Sequence, residues 1–216
     1  DVAVCAASFR RSLPLFCVPE YSGHRELELR DLYNPLIDEP VYNDLSLKTG
    51  CIITGSNASG KSTFIKAAAI SAVLAASVHT CAASRARLYP FDVYTSIAIR
   101  DNLLAGESYF IKEIRSMERI IRKVDEGRPV LAVIDEILRG TNTKERIAAS
   151  TAVLQYLREK GCLVIAATHD LEIAENLVSG PAGYEGLYFC EEAYEQGLAF
   201  EYRIHPGICR QTNAVR

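Results

Sequence analysis

The sequence predicts an α/β fold: a mostly parallel sheet flanked by helices, with an antiparallel β part on the N-terminal side and a late hairpin. Three observations carry this reading. Cys51 to Thr54, Val130 to Asp135 and Cys162 to Ala167 are short apolar runs of the kind made by strands buried on both faces. Segments with helical spacing follow each of them. A glycine-rich turn, Gly55 to Gly60, joins the first run directly to an Ala-rich helical stretch from about Lys61 to Val78.

The elements follow in order. Phe9-Arg10-Arg11-Ser12, closed by Pro14 and Pro19, reads as the tail of a helix, so residues 1–19 are expected to be the remnant of an upstream region and 20–216 the domain itself. Arg25 to Leu29 alternates as a strand does, Asn34-Pro35 is a turn, and Val41 to Leu47 is expected as an edge strand. Tyr94 to Ile99 mixes β-branched and aromatic residues and predicts another strand. A helix opens after Gly106, with Phe110, Ile111, Ile114, Met117, Ile121 and Val124 as its core stripe, and stops at Gly127 and Pro129. Its charged residues, including Lys112, Glu113 and Arg115, are expected on a solvated face. Further helices are expected from about Lys144 to Lys160, with Gly161 at the C-cap, and from Leu171 to Leu177. Gly186 to Glu191 and Leu198 to Ile204 suit a hairpin around Gly197.

Composition narrows the function classes. With 216 residues, one domain with a substantial core is the natural size. The net charge of −3 argues against a broad nonspecific nucleic-acid surface on this chain. Seven cysteines are scattered without metal-ligand spacing or a disulfide framework, which suggests a reducing, cytoplasmic location. No signal peptide is evident. The longest small-apolar stretch, Ala67 to Val78, is too short to cross a bilayer, so no membrane segment is expected here.

The chemistry concentrates in three places. Gly55-Ser56-Asn57-Ala58-Ser59-Gly60-Lys61-Ser62 fits the phosphate-binding P-loop, with a strand before it and a helix after it. Glycines let backbone amides wrap phosphates, the new helix aims its unpaired amides at the anion, Lys61 can reach the β- and γ-phosphates, and Ser62 can ligate Mg²⁺. Asp135 and Glu136 end the second apolar run; Asp135 suits the Mg²⁺ shell and Glu136 suits a general base. Thr168-His169-Asp170 ends the third. His169 can sense the γ-phosphate there, although the same three residues also suit a plain helix N-cap cluster, with Asp170 as the cap. The ligands implied are ATP and Mg²⁺, and the fold expected is that of a P-loop NTPase.

Four segments together resemble the ATPase domain of the MutS mismatch-repair family. Thr54 to Thr63 looks like its phosphate-binding run, with departures at Ser56, Ala58 and Ser59. Gly106-Glu107-Ser108-Tyr109-Phe110 looks like its G-x-S-T-F segment, Asp135 to Thr143 like its D-E-I-G-R-G-T-S-T, and Ala167-Thr168-His169 like its A-T-H. The wording is closer to MutS-like proteins outside classical mismatch repair, some of which carry membrane segments upstream, so the parent could be membrane-associated. The resemblance implies ATP hydrolysis, a head-to-tail homodimer in the ATP-bound state, and DNA contact through other regions of the parent. It implies that Ser108 reaches the partner's γ-phosphate, that the Arg139-Gly140-Thr141 loop lies near the dimer interface, that Asn43 lies near the nucleotide, and that Val41 packs on its base. Read alone, Ser108 suits a simple helix N-cap, which needs no dimer, and Asn43 is equally a turn residue. The alternatives are another mechanical ATPase of the ABC class, a nucleotide-switched dimerisation module without a DNA role, and a P-loop kinase. The absent LSGGQ signature, the intact Glu136 and the lack of a candidate lid weigh against them in turn.

Overall fold

The computed structural model describes residues 1–56, 58–97, 109–138, 142–194 and 197–209. Among these residues two sheets and five helices form an α/β structure of mixed sheets flanked by helices. The larger sheet contains β4 (Cys51–Thr54), β6 (Asp92–Ser96), β7 (Val130–Asp135), β8 (Leu163–Ala167), β9 (Glu185–Tyr194) and β10 (Gly197–Pro206), in the order β10-β9-β4-β8-β7-β6. Every neighbouring pair is parallel except β9 and β10, the expected late hairpin. The smaller sheet, in the order β1-β5-β2-β3, joins β1 (Glu20–Tyr21), β2 (Leu27–Leu32), β3 (Asn43–Leu47) and β5 (Arg85–Leu88). The pairs on either side of β2 are antiparallel, and β3 is an edge.

The period of two explains how the larger sheet holds two cores. Cys51, Ile53, Leu131, Val133, Leu163 and Ile165 face α2 (Lys61–Val78) and, beyond it, the leucines of the smaller sheet. Ile52, Val130, Ala132, Ile134, Val164 and Ala166 face the opposite way, toward α3 (Tyr109–Asp125), α4 (Thr143–Glu159) and α5 (Leu171–Val178). Both faces are covered, so these strands read as unbroken apolar runs. Helix α2 lies between the sheets, and its buried Ala67, Ala68, Ala72 and Ala75 allow close approach on both sides. By length and composition α2 is the one helix among the described residues that passes as a membrane span, and half of it is buried in this core. Burial pushes the thiol of Cys162 up to about 12, consistent with its use as a small apolar residue.

Several sequence expectations shift. The strand expected at Tyr94 to Ile99 is β6, over Asp92–Ser96; residues 98–108 lie outside the described set. Strand β5 was not expected: Arg85-Ala86-Arg87-Leu88 alternates exposed arginines with buried Ala86 and Leu88. Helix α3 is rotated relative to its expected stripe. Its buried positions are Glu113, Met117, Ile120 and Val124, whereas Ile111 and Ile114 are exposed. Steps of four, three and four keep these residues on one helical face, and Glu113, read as solvated, is on it. Ile120→Ala should therefore cost about 2–5 kcal/mol, and Ile114→Ala no more than about 0.5 kcal/mol. Denaturant midpoints of the two variants check this, and equal losses would restore the original stripe.

Helix α1 (Val2–Ser12) has no buried residue. Arg10 fastens it to the C-terminal end of α2, where its guanidinium donates to Thr80 Oγ1 at 2.8 Å and to the carbonyls of Val78 and His79. A bulge in β2 shapes the neighbourhood of α2 at its other end. Asp31 (φ 50°) shifts the register of β2 against β3 and donates its N–H to Asp44 Oδ1 at 2.9 Å. That bond, with Arg30 beside it, holds the Asp44 carboxyl below its ordinary range. The bulge turns Leu32, Tyr33 and Asn34 toward the N-terminal end of α2, where they line a cavity.

Candidate functional site

The glycine-rich loop is built from the buried end of β4. At Gly55 (φ 142°) a Cβ would lie 2.7 Å from the Phe189 carbonyl oxygen and 2.9 Å from Ser59 Oγ; at Gly60 (φ 102°) it would lie 3.0 Å from Tyr202 Cδ1. Both glycines are required by close approach as well as by dihedral angle. Ser59 is fully buried inside the turn and donates to the Ser56 carbonyl at 2.8 Å, a brace not read from the sequence. Among the described residues no side chain caps the first turn of α2, so its leading amides face the loop. Lys61 is 4% exposed, and its Nζ donates to the carbonyls of Gly55 at 2.6 Å and of Ser56. The ammonium is thus held over the turn that would hold an anion. Gly55→Ala should lower stability by about 1–3 kcal/mol through backbone strain, read as a lower denaturant midpoint with an unchanged slope. An unchanged midpoint would contradict the close approach.

The acidic end lies level with this loop. Asp135 is in register with Ala167, and Ala167 with Ile53, so β7, β8 and β4 end together. Two strand spacings separate β7 from β4, about 10 Å. The ladder runs one step past the strands: Glu136 N–H donates to the Ala167 carbonyl and Thr168 N–H to the Ile53 carbonyl, each at 2.9 Å. Glu136 is 5% exposed and sits at φ 59°, an uncommon conformation for a residue with a side chain. Its Oε2 lies 2.8 Å from Nδ1 of the half-exposed His169. The carboxylate and the imidazole therefore form a direct pair.

Asp170 occupies the N-cap position of α5 but makes no side-chain cap bond. Its carboxylate instead takes Arg146 of α4 through two contacts, 2.9 Å to Nε and 3.0 Å to a terminal nitrogen, and its N–H donates to Thr168 Oγ1 at 3.0 Å. Both members of the ion pair are largely buried. This bridge holds the His169 turn against α4. Sequence reasoning missed it because Arg146 looks like any helix-surface charge.

A cavity of about 460 Å³ opens beside the loop. Val41, Asn43, Ala58, Ser62, Thr63 and Tyr202 are among its lining residues. Asn43 is oriented by two bonds, donating to the Tyr202 carbonyl at 3.0 Å and accepting from Ile204 N–H at 2.8 Å. It thereby ties the late hairpin to β3 and holds Tyr202 (φ 52°) at the cavity mouth. No local sequence signal marks Tyr202, which joins the site from β10. Of the expected site residues, Val41, Asn43, Ala58, Gly60, Ser62 and Thr63 border this cavity, while Gly55, Ser56, Ser59 and Lys61 form the loop beside it. Asp135, Glu136 and His169 stand at the neighbouring strand ends. Asn57, Ser108 and Arg139-Gly140-Thr141 lie outside the described residues.

The donor set suits a hard cation. The Ser62 hydroxyl beside the cavity and the Asp135 carboxylate at the end of β7 offer oxygen donors of the kind Mg²⁺ prefers.

Comparison with known proteins gives a consistent result. Residues 51–216 match the family model described as MutS domain V. The chain is 36% identical over 166 residues to the DNA mismatch repair protein MutS of Pseudothermotoga lettingae, covering 73% of this chain and 20% of the relative. It is 33% identical over 194 residues to that of Thermus aquaticus, covering 88% and 23%. It is 32% identical over 166 residues to that of Natronomonas pharaonis, covering 76% and 19%. The chain thus spans about a fifth of the length of these relatives.

Proposed function

The chain belongs to the MutS family, and on that premise we propose that it binds and hydrolyses ATP with Mg²⁺, as the P-loop ATPase domain of a MutS-like DNA-binding protein. One observation carries the reading: a buried lysine on a glycine-rich loop and a paired Glu136–His169 stand at the ends of adjacent parallel strands, and residues of that loop line a cavity of nucleotide size. The loop amides and Lys61 hold the β- and γ-phosphates. Ser62 and Asp135 hold the Mg²⁺, which neutralises charge on the phosphate oxygens when bound. Water attacks the γ-phosphorus, Glu136 takes the water proton, and the bond from the γ-phosphorus to the bridging oxygen breaks to leave ADP and phosphate. With the Glu136 carboxylate ionised, the proton between it and His169 sits on Nδ1. That bond orients the base; a phosphate oxygen, which only accepts, would need Nε2 to carry a proton as well.

The cavity is the base site. Tyr202 and Val41 supply aromatic and apolar surface beside Ser62. Tyr202→Ala should weaken ATP binding by about 1–3 kcal/mol, the usual worth of stacking a base on an aromatic ring, while leaving affinity for inorganic triphosphate unchanged. Titration with both ligands tests this. Equal losses for the two would place the base elsewhere.

Ser108 is proposed to complete the opposite site in a head-to-tail homodimer, and DNA contact is assigned to other regions of the parent protein. Ser108→Ala should leave monomer affinity intact and lower hydrolysis and ATP-dependent dimerisation. A mixture of Ser108→Ala with Lys61→Ala protein should regain activity, because one site of the mixed dimer is then intact. No regain in demonstrated mixed dimers would confine Ser108 to its own subunit.

A further inference from the structure

We propose that Cys190, Glu201 and His205 form a binding site for a soft divalent cation of the zinc type on the late hairpin. A ligand atom from each lies within 4.8 Å of the others, the one such grouping with a thiol among the described residues. The hairpin register explains why. Phe189 pairs with Ile204, and both pack in the core that contains α2. Tyr188 pairs with His205 on the opposite surface, their rings 5.4 Å apart. Cys190, one residue beyond Phe189, shares that opposite surface. Facing Cys190, β10 carries three residues, 201–203, between the pairs Phe200–Glu191 and Ile204–Phe189. This wide bulge brings Glu201 to the same patch, with Oε2 3.8 Å from His205 Nε2. His205 Nε2 is buried and accepts or donates no hydrogen bond among the described residues.

The chemistry selects the ion. Thiolate, imidazole and carboxylate are the zinc donor types, and a tetrahedral site places such atoms about 3.3–3.8 Å apart, so side-chain rotation of about 1 Å closes the set. A single carboxylate is too little oxygen for Ca²⁺ or Mg²⁺. Three protein ligands leave a fourth position for water. The site uses none of the groups assigned to phosphate or Mg²⁺. It does bracket Tyr202, because Glu201 opens the bulge that presents that ring to the cavity and His205 follows it. A bound cation would fasten both ends of the bulge to β9, as Asn43 fastens its middle to β3.

Titration of the whole chain with Co²⁺, without nucleotide or Mg²⁺, tests the proposal. One equivalent should give a near-ultraviolet thiolate-to-cobalt band that one equivalent of Zn²⁺ abolishes. Cys190→Ala should remove the band. His205→Ala should weaken Co²⁺ binding at least about tenfold, since even outer-shell partners of a metal cost that much when removed. Hydrogen exchange on the unmutated chain is the second readout: Zn²⁺ should slow the amides of residues 200–205. A band that persists in Cys190→Ala, or amides that Zn²⁺ leaves unprotected, would overturn the site.

Discussion

Lys61→Ala is expected to lower affinity for ATP at least about 100-fold, which is loss of binding at ordinary concentrations. Two charge-assisted hydrogen bonds, worth about 1.5–3 kcal/mol each, set that size. In the structure those bonds go to the carbonyls of Gly55 and Ser56. Phosphate oxygens would take them over, and the loop carbonyls would be relieved of an ammonium that is 4% exposed. The substitution removes the only side-chain cation in the loop run from Gly55 to Ser62, so no neighbour within it can compensate. Titration with a fluorescent nucleotide measures the loss, and a melting curve of the variant separates it from unfolding. Unchanged affinity would remove the phosphate-binding role from this loop.

Glu136→Gln should retain ATP and lose about 100-fold in turnover, the lower end of what a positioned base contributes. The amide keeps the size of the carboxylate and can still accept from His169, so the paired geometry at 2.8 Å is preserved while basicity is lost. ATP-bound dimers should accumulate in this variant, because assembly no longer ends in hydrolysis. Single-turnover phosphate release, together with sedimentation of the ATP-loaded protein, reads both effects. Wild-type rates would move the base elsewhere. The backbone supports the assignment: Glu136 and Leu138 both hold positive φ, at 59° and 56°, just beyond β7. Strain of that kind persists where surrounding contacts over-determine it, as the Glu136 N–H bond to Ala167 does here.

Much of the fold and of the candidate site's layout was legible in the sequence, and the reasons are physical. Strands β4, β7 and β8 are covered on both faces, so their apolar residues run on without a break and announce a parallel sheet. The glycine-rich loop is legible because its residues are contiguous: a close approach at Gly55 and a left-handed cap at Gly60 both leave a glycine in the chain. Helix α3 was harder. Its apolar residues outnumber the space available, and tertiary packing chose the face carrying Glu113, Met117 and Ile120 over the one carrying Ile111 and Ile114. Strand β5 escaped because two arginines disguise a short alternation. Tyr202 and the Cys190, Glu201, His205 grouping were invisible for another reason. They depend on how β10 bulges against β9 and folds back toward β3, and neither register nor bulge leaves a local mark in the residue order.

Phosphate release from ATP in a single turnover, with protein in excess to favour the dimer, tests the central claim most directly. The account predicts conversion of bound ATP to ADP and phosphate that requires Mg²⁺, stops on chelation, and slows about 100-fold in Glu136→Gln. Bound ATP recovered intact from the wild-type chain in the presence of Mg²⁺, with dimers shown to be present, would contradict it.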